Sequence, residues 1–263
     1  MSATLSLRLD YGRALLGDEP GAREVAEILA RPCLAALERV SGRCKNRWSR
    51  HAPASAETIR TYLLDERFDA VSFDTRRGAE LVASAEIETT PWLQRSVSPA
   101  IRLQSYLVIP YVDRELDALL AGACALAAAL RTGAGFLALE PDYRSSRRAV
   151  LGSFRPKSRD GLSQSRQIAR RARHWKSDYI ATQVASIEWG TFLGAGHLAQ
   201  LDLDTLRASD AFARVVVVTP DLVFLQLTAD PRDDLSGEVE ARLARARDVL
   251  SPVLMDLRDV NLD

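Results

Sequence analysis

An α+β fold, one domain spanning residues 1–263 with helices packed on a mostly antiparallel sheet, is predicted by three features of the chain. Two pairs of β-rich runs flank short turns, 70–74 with 81–88 and 213–218 with 222–227. Two stretches, 113–130 and 236–250, carry apolar residues at helical spacing. Strands, hairpins and single helices then follow one another in mixed order, with no internal repeat, low-complexity tract or linker long enough to divide the chain.

Residues 4–9 alternate polar and apolar, with Leu5, Leu7 and Leu9 on one side, which predicts a half-buried opening strand. Gly17-Asp18-Glu19-Pro20-Gly21 launches a helix in which Val25, Ile28, Leu29, Cys33, Leu37 and Val40 recur every three or four residues. Pro32 would kink or split that helix, and Gly42 would close it. The run Arg43-Cys44-Lys45-Asn46-Arg47-Trp48-Ser49-Arg50-His51 reads as a solvated loop, and Ser55 caps a helix over 56–65. Thr75-Arg76-Arg77-Gly78 joins the strands of the first hairpin.

A strand over 103–109, a helix over 113–130 and a strand over 136–139 form the next unit. Asp113 caps the helix, Glu115 and Asp117 complement its dipole, Arg131 sits at its end and Gly133 stops it. Leu116, Leu119, Leu120, Ala123, Cys124, Ala127 and Leu130 give it a wide apolar face that should cross a sheet. Gly133-Ala134-Gly135 therefore reads as a helix cap. A dinucleotide loop would place its glycines after a strand and before a helix. Farther on, residues 228–234 form a loop, and the last helix turns Val239, Leu243, Ala246 and Leu250 inward until Pro252 ends it.

Charge is the sharpest physical signal. The chain has 35 basic and 35 acidic residues, yet a basic insertion at about 142–176 holds eleven Lys or Arg against Asp142 and Asp160, a local charge of +9. Ser163 caps a helix there. At about 100° per residue, Ile168, Ala172, Trp175 and Tyr179 share one face while Arg166, Arg170 and Arg173 share the opposite one. Like charges at such spacings repel by about 0.2 to 0.5 kcal/mol per pair, and no acid offsets them before Asp178. The stripe calls for an anion, either from the acidic stretch beyond Ser177 or from a partner.

Composition excludes several classes. No apolar run reaches the roughly 18 residues of a membrane span, and the first ten residues lack the pattern of a secretory signal. The expectation is a cytoplasmic protein without a membrane partner. Cys33, Cys44 and Cys124 have no metal or redox spacing; Cys33 and Cys124 fit apolar helix faces, and Cys44 reads as an ordinary thiol. Asp74, Glu86, Glu88, His174 and His197 could in principle do acid–base work, but no nucleophile elbow, zinc-helix or phosphate-loop motif accompanies them. A non-enzyme without metal or cofactor is expected.

The chain is organised around Glu188-Trp189-Gly190-Thr191-Phe192-Leu193-Gly194-Ala195-Gly196-His197-Leu198. Trp189 and Gly190 read as the sharp turn that ends an extended segment, and Gly194 and Gly196 as the start of a short helix over 197–201. A glycine-rich helix start can receive an anion, but no Lys-Ser or Lys-Thr follows Gly196. His197 reads as a hydrogen-bonded structural histidine, and Trp189 and Phe192 as core.

In order, the extended Ile187–Leu193 run, the Gly-x-Gly-His-Leu helix start, a Val-rich strand, Val-Phe-Leu-Gln-Leu-Thr-x-Asp-Pro and a terminal amphipathic helix resemble the immunity proteins of bacterial polymorphic toxin and type VI secretion systems, notably the immunity protein 52 and type VI immunity families. The resemblance spans roughly 103–250. It implies stoichiometric binding and inactivation of a cognate protein toxin, with Trp189, Gly190, Gly194, Gly196 and His197 as packing residues. The stripe of Arg166, Arg170 and Arg173 would suit an acidic toxin surface, and the acidic C-terminal region a basic cleft. The competing reading is a nucleic-acid-binding protein using Arg and aromatic residues of 144–176, against which stand the chain's neutrality and the absence of a common nucleic-acid motif. Neither reading fixes an oligomeric state.

Overall fold

The computed structural model describes residues 3–31, 37–44, 47–89, 103–112, 115–140, 179–233 and 239–256. In chain order these form β1 (Thr4–Tyr11), α1 (Glu19–Leu29), β2 (Arg39–Cys44), β3 (Arg47–Trp48), β4 (Ala52–Pro53), α2 (Ala56–Leu63), β5 (Ala70–Arg77) and β6 (Glu80–Glu88). They continue as β7 (Leu103–Pro110), α3 (Leu116–Ala129), β8 (Thr132–Glu140), β9 (Gly190–Gly194), α4 (Ala195–Leu198), α5 (Leu203–Ala208), β10 (Arg214–Thr219), β11 (Leu222–Gln226), α6 (Glu240–Val249) and a 3-10 turn at Ser251–Val253. No helix among them is long and apolar enough to cross a membrane.

All eleven strands join one sheet, ordered β10-β11-β9-β8-β1-β7-β6-β5-β2-β3 with β4 also on β2, and every ladder is antiparallel. The α+β architecture expected from the sequence is the one observed. β1 lies between β7 and β8, which therefore run parallel to each other, and α3 carries the chain across β1 from one to the other. The hairpin β5–β6 turns at Gly78, whose φ of 63° a residue with a side chain seldom adopts.

Alternation along each strand divides the core. Leu5, Leu7, Leu9 and Tyr11 of β1 point to one face with Val71, Phe73, Ile87, Leu107, Leu137 and Phe224. α1, α2 and α3 cover that face with Val25, Ile28, Ile59, Leu63, Leu119, Leu126 and their neighbours. A second cluster occupies the opposite face at the β9–β11 end, where Leu193, Val223 and Leu225 meet Leu206 of α5 and Leu243, Ala246 and Leu250 of α6. α1 and α2 start where a side-chain oxygen accepts an orphan amide: Asp18 from Gly21 at 3.0 Å, Ser55 from Thr58 at 3.1 Å.

Several expectations are corrected. The first helix ends at Leu29; Val40 and Gly42 belong to strand β2, and Cys33 lies outside the described residues. Long-range pairing decides this, because Val40 is fully buried opposite Phe73, and a Cβ on Gly42 would sit 2.3 Å from the Phe68 ring. The basic run expected to be a loop supplies the end of β2 and the edge strand β3. α3 is stopped by Arg131, which takes φ 52° itself, so Gly133 and Gly135 are free to enter β8. The expected cap Asp113 and the expected start of the last helix at 236 lie outside the described residues. Cys124 is only half-buried, yet burial still pushes its thiol up to about 11. β1 is buried on both faces, not half-buried, because it is central and its polar side is covered as well.

Leu7 sits in the middle of the central strand and is 2% exposed. Leu7→Ala should cost about 2 to 5 kcal/mol in urea unfolding. A loss below about 1 kcal/mol would show that the three-helix cluster is not the main core.

Candidate functional site

The glycine-rich stretch is a close-packed crossing of chain segments. The expected sharp turn at Trp189-Gly190 is not formed: Gly190 opens β9, paired with Leu137 and Gln226. Trp189 is fully buried and donates its indole N–H to the Thr228 carbonyl at 2.9 Å, while its own carbonyl accepts from the Leu227 amide at 2.8 Å. The short helix begins after Gly194 as α4, two residues earlier than read from the sequence. A Cβ on Gly194 would stand 2.4 Å from the Gly133 carbonyl oxygen, and one on Gly196 would stand 2.2 Å from that of Ala181. These two glycines let β9 and α4 approach neighbouring backbone, which no larger residue permits.

His197 projects from α4 into the interior and is fully buried. Among the described residues, neither ring nitrogen has a protein partner in good hydrogen-bonding geometry. The carbonyls of Gln183, Gly194 and Gly133 stand beside the ring and favour its protonation, but burial outweighs them and holds its pKa below the usual histidine range. The expected hydrogen-bonded histidine is thus buried and neutral without a well-formed bond.

Beside it lies a small pocket lined by Asp10, Phe136, Gln183, Ser186, Thr191 and His197 among others, with a volume of about 30 Å³. That is room for a water or two and well short of an organic substrate. Asp10 is tied to Arg8, whose guanidinium donates from Nη2 at 3.1 Å and Nε at 3.3 Å, both side chains being almost fully buried. Ser186 donates to Glu188 at 2.9 Å. Among the described residues, no group of three or more His, Cys, Asp or Glu could hold a metal ion.

The sequence reading missed the Arg8–Asp10 pair. The signal was present: two opposite charges two residues apart on one side of a strand share a face. Assigning that face to solvent hid it.

The external candidates lie at the ends of the sheet. Trp48 on edge strand β3 is 48% exposed, and the Arg43 guanidinium lies 5.7 Å from its ring centroid. Arg43 is itself fixed by Asp69 and Glu86, each at 2.8 Å. At the other end, Val217 of β10 is 42% exposed. Tyr179, expected on a core face, is 46% exposed. Arg166, Arg170 and Arg173 lie outside the described residues, as does the insertion that carries them.

No family model matches the chain, and no curated protein sequence is similar to it. A solved Pseudomonas aeruginosa T6SS protein is similar in structure, with a TM-score of 0.63 over 96% of this chain and 76% of the other at 12% identity. What the two share at that identity is the fold.

Because burial holds the pKa of folded His197 below that of an unfolded histidine, the folded state binds fewer protons as pH falls. Stability should be flat above about pH 7 and fall as pH drops below about 6.5, by at most about 1.4 kcal/mol per pH unit. Urea midpoints between pH 7 and 5.5 should decline for the wild type and decline less for His197→Gln. Equal slopes would show that this histidine does not titrate on unfolding.

Proposed function

We propose that this chain is a T6SS-associated binding protein that neutralises a cognate bacterial toxin by forming a stoichiometric complex with it in the cytoplasm. The observation that carries the reading is Trp48, a large aromatic held half-exposed on the outermost strand against a guanidinium that two carboxylates fix in place. Tryptophan and arginine dominate the energetics of protein interfaces when they are presented rigidly, because little side-chain freedom is then lost on binding. Arg47 beside it is exposed and adds positive charge to the same edge. The fold likeness to a T6SS protein over nearly the whole chain supports the type VI setting.

In this reading the chain performs no catalysis and needs no cofactor. A broad sheet with a covered core gives the rigidity that a stoichiometric inhibitor needs. The basic rim steers the chain toward an acidic toxin surface, and Arg166, Arg170 and Arg173 add to the same complementarity.

Co-expression with the product of the neighbouring gene should relieve that product's toxicity, and the two proteins should co-purify at equal stoichiometry. Trp48→Ala should weaken the complex by about 2 kcal/mol, close to thirtyfold, and simultaneous charge reversal of Arg166, Arg170 and Arg173 should abolish protection while leaving the chain folded. Absence of both toxicity and complex would sink the reading. Full protection by the charge-reversed variant would remove the stripe from the interface.

A further inference from the structure

The pocket beside His197 is walled largely by hydrogen-bond acceptors. β1 and β8 supply Asp10 and Phe136, β9 and α4 supply Thr191 and His197, and residues 180–186 complete it with Ile180 and Ser186. That last segment is fixed by contacts outside the pocket. The Val184 amide donates to the Val253 carbonyl at 2.7 Å, the Met255 amide donates to the Val184 carbonyl at 3.0 Å, and Gln200 Nε2 donates to the Thr182 carbonyl at 3.0 Å.

The hydroxyl protons of the wall are already placed. Ser186 donates to Glu188 Oε1 at 2.9 Å, and Thr191 turns its own hydroxyl toward the Glu188 carbonyl at 3.5 Å. With their protons so directed, both oxygens can only accept from a molecule in the pocket. The Asp10 carboxylate is an acceptor by nature, and both Arg8 bonds end on its Oδ1, so that pair does not use Oδ2. His197 meets the same chemistry, because the groups beside its ring are the carbonyls of Gln183, Gly194 and Gly133. A neutral imidazole has one N–H and one bare nitrogen. A carbonyl can accept from the first, but it has nothing to donate to the second.

We propose that this pocket is an internal hydration site for two ordered waters, one of which donates a hydrogen bond to the bare ring nitrogen of His197. Volume sets the number: the pocket measures about 30 Å³, and each water needs about 10 to 15 Å³. Charge sets the class of occupant. The carboxylate lining the pocket is already paired with the Arg8 guanidinium at 3.1 Å. Among the described residues, no three His, Cys, Asp or Glu converge to hold a metal ion, so a cation would find too few ligands. An anion would face oxygen acceptors on several sides. Water brings two donors and no net charge. Its second proton reaches Asp10 Oδ2, a hydroxyl oxygen or a carbonyl, so the two waters join α4, β1 and the 180–186 segment in one hydrogen-bond network.

A crystal structure and a solution measurement on the full chain test this together. The crystal structure should show two waters in the pocket, one about 3 Å from a His197 ring nitrogen, with no anomalous signal from a transition metal. In histidine-labelled protein near pH 7, the His197 ring should give an NMR cross-peak to water. Ala134→Val narrows the pocket from β8 without changing a polar side chain. It should abolish that cross-peak while circular dichroism shows an unchanged fold; if it does not fold, the two wild-type measurements decide. A dry pocket, a metal or organic molecule bound in it, or a ring with no water contact overturns the proposal. So does a water contact that folded Ala134→Val leaves intact.

Discussion

The antiparallel pairing of β1 on both its sides is the constraint from which the rest of the structure follows. It joins the start of the chain to β7 and β8, more than ninety residues away in sequence, and it fixes which side of the sheet each later strand presents. A one-residue slip of β1 would carry Leu5, Leu7 and Leu9 away from the three-helix face and drive Arg8 and Asp10 into it. A buried ion pair adds little net stability, because desolvation offsets the attraction, but charges forced into an apolar core are far more costly. The Arg8–Asp10 pair thereby specifies register more than it strengthens the fold.

Sequence patterning was most legible where local and tertiary demands agree. The β5–β6 and β10–β11 hairpins, the Ser55 cap and the inward set Val239, Leu243, Ala246 and Leu250 could each be read within a dozen residues, because turn chemistry and periodicity act at that range. The failures share one cause. Val40 lies a helical step from Leu37, and nothing local shows that Phe73 will pair with it. Gly42 looks like a helix stop until the Phe68 ring beside it is known. Gly133 looks like a cap, yet Arg131 takes the left-handed position and frees the glycine for a strand whose backbone Gly194 must approach. In each case a contact far along the chain overrode a reasonable local preference.

The central motif shows the same limit in functional terms. A glycine pair before a short helix suggests phosphate binding in isolation. In the fold the absent side chains of Gly194 and Gly196 are replaced by the backbones of residues 133 and 181, which leaves little space for an anion. His197 is likewise enclosed, beside backbone carbonyls and a pocket it shares with Asp10, Ser186 and Thr191 that holds no more than a water or two. The conspicuous residues of the sequence thus serve packing, and the surface feature that carries the functional reading, Trp48, stands in a stretch where the sequence offered only a basic loop.

An open sheet necessarily has two edges, and this one treats them differently. At the β3 end pairing fades through strands of two residues, and the exposed surface is made of guanidinium groups and an indole. Such an edge resists indiscriminate strand addition but offers a shaped, charged contact to a partner that matches it. At the β10 end the strand is regular over most of its length, apolar and nearly uncharged, which favours main-chain pairing and discriminates poorly by side chain. The two edges thus differ in side-chain chemistry, basic and aromatic at one end and aliphatic at the other.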